Sequence, residues 1–464
     1  MMGIDTRNGS GAGSRTRRAV MGHVGVLGLM ATGAAACGAE QASSTKNERL
    51  GAQGFAFKSP VAITYWQSLG GSAEEAQVKL TSDFNAKRSD VKVTMENAGG
   101  YEPASQKLVT AMAGGTQPDL VMLTVDQHMP AFSRQGALHP LDEYAKADKS
   151  AQFEKYAAGF IKNGTVAGKL YQLPLARSTP VVYFNKDHFR SAGLPEQAPD
   201  TWPQMIDIGQ RLVRAGVAQV DTADGSRAAF HSNPWWWPFQ SMVWAFGGRY
   251  SDEKFTPTVA QPETVQAMEY LAELVTRHKM SRPYKGRGPD AQKAFREGQI
   301  SMFNGSTAGL AGITETSPFR LGVSFMPGHK ARAVPSGGSG MSIMASVTPE
   351  KKEAGWEYLK HMTSTASTVF FSQASGYMVV RTDAQQLPEF QKYLAENPNA
   401  KVTFDQMQHV RTQDSIVEVP QGTVTIEAAM ERVLTGQASA KAAFEELQRE
   451  LTVLAERAGV TKPK

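Results

Sequence analysis

Pro174 and Pro180 bracket a stretch, Leu170–Phe189 (LYQLPLARSTPVVYFNKDHF), that has few conformational choices. Each proline fixes its own φ and keeps the preceding residue out of helix, so the stretch is held extended. Val181-Val182-Tyr183-Phe184 follows as a short β-rich run. Asn185-Lys186-Asp187 then suits a turn into a helix. Arg177, Ser178 and Thr179 lie between the prolines, where their side chains can project from a strand that crosses between two globular lobes. An ordinary proline-bounded loop before a strand is the alternative.

At 464 residues the chain exceeds what one hydrophobic core usually supports, so two lobes are expected. The net charge of +5 is concentrated near the start, where four arginines against Asp5 in the first 36 residues supply three of those charges. No block of like charge occurs elsewhere, so the chain lacks the electrostatic footprint of a nucleic-acid binder. Residues 1–36 read as an export signal. Arg15, Arg17 and Arg18 form a basic segment, Val20–Met30 a short apolar one, and Ala34-Ala35-Ala36 precede Cys37. The apolar run is too short to span a bilayer, and Thr16-Arg17-Arg18 resembles a twin-arginine signal. Cys37 is the sole cysteine, which removes disulfides and cysteine-based metal sites. It resembles a lipobox cysteine, lipidated as the new N-terminus, with residues 37–54 as the lipidated tether.

After the tether, Val61–Trp66, Val91–Met95 and Asp119–Thr124 read as strands separated by helices. That alternation predicts an α/β fold with a mostly parallel sheet. Thr201-Trp202-Pro203 starts a helix by capping chemistry, Phe295–Phe303 runs from helix into strand, and Ser336–Ile343 is a second crossing. Metal-binding histidine pairs, a nucleophile elbow and a phosphate loop are absent, and no cofactor is expected. A glycosidase-type carboxylate pair stays open, because carboxylates are plentiful and none stands out.

The remaining candidates are Trp66, Tyr101, Asp126, Ser178, Ser306, Gly338 and Tyr377, at predicted strand ends or beside glycines. Open α/β sheets bind ligands at such ends. Aromatic faces, hydroxyls and a carboxylate are what a polyol needs: stacking for its apolar face, fixed donors and acceptors for its hydroxyls. Trp236, within Trp235-Trp236-Trp237, is added as an aromatic cleft candidate.

In order along the chain, Tyr65-Trp66-Gln67-Ser68, Pro118-Asp119-Leu120, Ser178–Lys186, Thr201-Trp202, Gly337-Gly338, Trp356–Leu359 and Gly376-Tyr377 resemble the extracellular solute-binding proteins of bacterial ABC importers, in the branch that carries sugars and glycerol phosphates. The resemblance covers almost all of the chain beyond the leader. It implies a two-lobe periplasmic-binding-protein-like (type II) fold with hinge crossings and a cleft between lobes. It also implies a lipid-anchored, extracytoplasmic binding component, not an enzyme, whose partners are permease subunits. Lobe 1 is expected at 55–174 plus 342–404, and lobe 2 at 175–341 plus 405–464. The glycerol-phosphate branch implies ligand roles for Tyr101, Asp126, Ser178, Ser306, Gly337 or Gly338, and Tyr377. Where that branch holds phosphate with an arginine, this chain has Ser415, and the nearest arginine is Arg411. Serine cannot supply charge-assisted donors to a dianion, so a carbohydrate is expected, with glycerol-3-phosphate or a glycerophosphodiester as the alternative solute and an anchored glycoside hydrolase as the competing class.

Overall fold

The computed structural model describes residues 50–51, 54–217, 228–283 and 289–461. The expected export signal, Cys37 and most of the tether lie outside them. The tether's last residues already belong to the fold: Leu50–Gly51 pairs antiparallel with Gly54–Phe55. Phe55 is only 2% exposed, its N–H donates to Glu357 Oε1 at 2.7 Å, and its carbonyl accepts from Arg88 at 2.8 Å. A buried aromatic with both backbone groups satisfied is an anchored strand end.

The first lobe is built on strands β1 (Val61–Gln67), β2 (Val91–Asn97), β3 (Leu120–Thr124) and β4 (Leu173–Ser178). β5 (Pro180–Asn185), β6 (Met302–Ser306) and β7 (Leu321–Ser324) form the second sheet, and β8 (Gly337–Ile343) returns to the first. The first sheet has the order β2-β1-β3-β8-β4. β1 runs parallel to β2 and β3, as the alternating pattern predicts. The mostly parallel expectation fails beyond β3: β8 lies antiparallel to both β3 and β4. The reason is connectivity, because β8 re-enters from the other lobe instead of following a helical crossover. In the second sheet β5 is central between β6 and β7, antiparallel to both, and buried along its whole length.

Local chemistry explains the helices that frame these sheets. Thr201 accepts from Gln204 N–H while the Gln204 side chain caps back, a complete capping box followed by Pro203 at the helix start. Trp356 and Trp202 are fully buried, one in each lobe's core. Burying side chains of this kind contributes about 1.5–3 kcal/mol or more each. Helices Pro388–Glu396 and Pro398–Asp405, expected with lobe 1, pack instead on the second sheet. Asn399 binds the β7 backbone on both sides, accepting from Val323 N–H at 3.2 Å and donating to Leu321 O at 3.2 Å.

The proline-bounded stretch is the passage between sheets. β4 ends at Ser178, β5 begins at Pro180, and Thr179 is the crossing residue. Thr179 is tied on three sides: its carbonyl accepts from Thr307 N–H at 3.0 Å, its N–H donates to Thr307 Oγ1 at 3.2 Å, and its hydroxyl accepts from Gln406 at 2.8 Å. The second crossing, Val334–Pro335 into β8, lies alongside, with Gly337 paired to Ser178.

Candidate functional site

Two crossings side by side bring several polar groups to one place. Gly338 has φ +90°, and a Cβ there would stand 1.9 Å from the Ala176 carbonyl oxygen. Only glycine permits this approach. Its carbonyl accepts from Val125 N–H at 3.2 Å, which draws the loop carrying Asp126 onto the crossing. The next residue, Ser339, meets the Tyr101 hydroxyl at 3.1 Å. Tyr101 opens the helix Tyr101–Gly114, and its hydroxyl lies close to that of Tyr377. Burial pushes both phenols above their ordinary pKa, so both remain protonated donors at neutral pH. Gly376, at φ +88°, ends the preceding helix and turns the chain so that Tyr377 stacks on Phe371 at 5.5 Å.

Arg177 stands in the same cluster. It is 0% exposed, and its Nη2 donates to Asn163 Oδ1 at 2.8 Å and to Ser336 Oγ at 2.6 Å. Its guanidinium carbon lies 5.1 Å from the Phe160 ring centre. Nε and Nη1 have no hydrogen-bond partner among the described residues. Burial lowers its pKa to about 10, opposed by the charge of Asp126 and then by Tyr101. The group is therefore a cation at neutral pH, held by neutral acceptors.

Next to this cluster a cavity of about 350 Å³ opens between the lobes, with Val125 and Asn163 on one wall and Arg249, Asp414, Ser415 and Glu418 on the other. That volume suits a small-molecule site. Asp414 is 5% exposed and accepts from Tyr250 N–H at 2.8 Å and Trp244 Nε1 at 3.2 Å. Burial raises its pKa against those bonds. Across the cleft, Gln127 donates to Thr423, Arg134 pairs with Glu418, and the Arg134 guanidinium lies 5.6 Å from the Phe255 ring centre. These contacts tie the two walls together.

Of the residues expected from sequence, Tyr101, Asp126, Ser178, Gly338 and Tyr377 come together at the crossings. Ser306 pairs with Pro180 in the second sheet, its hydroxyl accepting from Ala308 N–H at 3.2 Å, and so sits at the far side of the same crossing. Trp66 does not join them. Its indole donates to Glu96 at 3.0 Å, the Lys107 ammonium covers its ring at 4.0 Å, and it packs with Ala104 and Leu108 in a separate apolar cluster. Trp236 also departs from the expectation: it is a core residue whose carbonyl accepts from the Tyr250 hydroxyl at 2.8 Å. The neighbouring Trp237 faces the crossing, since a Cβ on Gly337 would stand 2.6 Å from its ring, and its buried Nε1 has no partner among the described residues. Arg411 is exposed in a two-residue strand paired with Val334–Pro335, and the cavity is lined by the residues that follow it, including Ser415. Sequence reasoning does not single out Arg177, Trp237 or Ser339, which the structure brings to the same crossings. The signal for Arg177 is its place between the prolines; nothing in the sequence distinguishes Trp237 from Trp236.

Among the described residues no group of three or more histidine, cysteine, aspartate or glutamate side chains is arranged to hold a metal, and no helix is long and apolar enough to cross a membrane. The cluster supplies hydroxyl donors, one carboxylate, one cation and an indole N–H, which together can hold a polar solute.

Residues 66–369 match the family model described as bacterial extracellular solute-binding protein. The sn-glycerol-3-phosphate-binding periplasmic protein UgpB of Shigella dysenteriae is 26% identical over 82% of this chain and 90% of its own length. The protein of the same name from Salmonella typhimurium is 28% identical over 74% of this chain and 80% of its own. Among solved structures, UgpB from Mycobacterium tuberculosis in complex with glycerophosphocholine is 31% identical, with a TM-score of 0.78, covering 86% of this chain and 99% of that one. The GacH receptor of Streptomyces glaucescens is similar in fold, at 21% identity and a TM-score of 0.74 over 86% of this chain and 99% of that one.

Proposed function

Since the chain belongs to the bacterial extracellular solute-binding protein family, we propose that it captures a small polyol-bearing solute between its lobes and delivers it to the permease of an ABC importer. The observation that carries this reading is the convergence of Tyr101, Tyr377, Ser339 and Asp126 on the paired crossings beside a cavity of about 350 Å³. Two phenol donors, a serine hydroxyl and a carboxylate are matched to vicinal hydroxyls, and no covalent step is required of them. In this reading the lobes, about residues 55–174 plus 342–387 and 175–341 plus 388–461, rock about Thr179 and Ser336. The contacts of Gln127 with Thr423 and of Arg134 with Glu418 then form as the cleft closes. A lipid on Cys37 keeps the protein beside its transporter, after export by a leader of twin-arginine type.

For the solute we favour a glycerol phosphate or glycerophosphodiester, supported by the ligands named for the relatives at 26–31% identity. A neutral carbohydrate is the second reading, favoured by one observation: Ser415 lines the cavity at the position where the resemblance implies a phosphate arginine. The test is a thermal-shift screen of the chain from Gly38 onward with mono- and oligosaccharides, sn-glycerol-3-phosphate and glycerophosphocholine. A ligand that binds only the folded state raises the melting temperature. A shift with any of these solutes supports capture in the cleft. No shift with any of them, or hydrolysis of a glycoside at an enzyme-like rate, would overturn it.

A further inference from the structure

Resting on that reading, we propose that Arg177, buried at the paired crossings one side chain from the cavity, is the residue that receives the anionic phosphoryl group of the solute, in place of an arginine at the position of Ser415. The guanidinium is completely buried, yet only one of its three nitrogens is hydrogen-bonded among the described residues, and both acceptors, Asn163 Oδ1 and Ser336 Oγ, are neutral. A buried cation with unused donors is costly unless something anionic answers it. Arg177 pairs with Gly338, whose carbonyl accepts from Val125 N–H, so it shares one crossing with the loop that carries Asp126. Asn163, the acceptor of Nη2, also lines the cavity, so the guanidinium is one side chain from the solute space. Nη1 keeps two N–H donors and Nε one, since Nη2 is spent on Asn163 and Ser336, so the guanidinium can still give charge-assisted hydrogen bonds to a phosphoryl oxygen. The position also has mechanical meaning. Arg177 lies on β4 one residue before Ser178 and two before the crossing residue, and it grips Ser336 at the start of the other crossing. An anion bound there engages both crossings at once.

The experiment is calorimetric titration of the wild type, Arg177→Met and Arg177→Lys with sn-glycerol-3-phosphate, glycerophosphocholine, inorganic phosphate and maltose. We expect the wild type to prefer the phosphorylated solutes, the monoester and diester arms showing which form is taken. Arg177→Met should weaken that binding by roughly 10- to 100-fold, the loss of charge-assisted hydrogen bonds, with Arg177→Lys in between. The melting temperature of ligand-free Arg177→Met should be unchanged or higher, because a buried charge has been removed. A measurement without any variant guards against misfolding: inorganic phosphate should compete with sn-glycerol-3-phosphate on the wild type, while chloride at equal ionic strength should not. Unaltered phosphoryl binding by Arg177→Met, or no competition by phosphate, overturns the assignment. A wild type that takes maltose and no phosphorylated solute overturns it too, leaving solute capture intact. A wild type that takes none of the four sinks both.

Discussion

Replacing Gly338 by alanine should be among the most damaging single-methyl changes in this protein, and its cost can be divided in two. The backbone at Gly338 has φ +90°, a region in which an L-residue costs about 1–2 kcal/mol. The new Cβ would also stand 1.9 Å from the Ala176 carbonyl oxygen and 3.0 Å from its carbonyl carbon. These are backbone atoms of β4, so nothing can swing aside, and the strands must part at a cost of about 1–3 kcal/mol. The total is about 2–5 kcal/mol, enough to consume much of a typical domain's stability. Gly136→Ala is the internal control, because Gly136 has φ +71° but no atom lies within 4 Å of the place its methyl would take. It should cost only the backbone part, about 1–2 kcal/mol. Urea unfolding followed by tryptophan fluorescence measures both. If Gly338→Ala is no less stable than Gly136→Ala, the close approach of the two crossings is not real and the site built on it falls.

Other outcomes follow from single residues. His231 is buried, with Nε2 accepting from Asn304 N–H at 2.7 Å, and burial lowers its pKa to about 3. Its folded pKa is below the unfolded value of about 6.5, so its stabilising effect is full above pH 6.5 and is lost as pH falls towards 3, at about 1.4 kcal/mol per pH unit. His231→Gln, which keeps an acceptor, should flatten the stability–pH curve by about one proton between pH 6 and 4; superimposable urea-unfolding slopes would refute this. Tyr101→Phe and Tyr377→Phe should each weaken solute binding by roughly 10-fold, the worth of one hydrogen bond, with little change in melting temperature. Normal affinity in both variants would mean that the solute sits elsewhere. Cys37→Ser should release the protein from membranes into the soluble fraction, and continued sedimentation with membranes would exclude the lipid anchor.

The backbone path is easier to read from sequence than the side-chain directions. Pro174 and Pro180 announce the crossing because proline geometry is local, and Thr201 announces its helix because capping is local. Tyr101 and Tyr377 are legible because each follows a glycine that turns the chain at an element's end. The antiparallel placement of β8 is not legible, since it depends on a pairing with β3 and β4 from far along the chain. Direction is harder still. Trp66 looks like a strand-end platform until Lys107, from helix Tyr101–Gly114, covers it. In Trp235-Trp236-Trp237 composition is identical at every position, and only the start of helix Trp236–Phe246 decides that Trp236 turns into the core while Trp237 faces Gly337. Arg177 reads from sequence as one more polar residue on a crossing; its importance lies in what fails to contact it.

The insertion of β8 between β3 and β4 also sets a timetable. Until Gly337–Ile343 has been synthesised, β4 has no neighbour on the side of β3, and the first sheet is split into β2-β1-β3 and a stranded edge. Distant pairings of this kind are slow because the intervening chain must be closed into a loop first. The amino-terminal half therefore stays unfinished on the ribosome while the second lobe is being made. A first lobe that waits for β8 has a window in which chaperones can reach it, and a substitution that weakened β8 would lengthen that window as well as lower the stability of the finished protein.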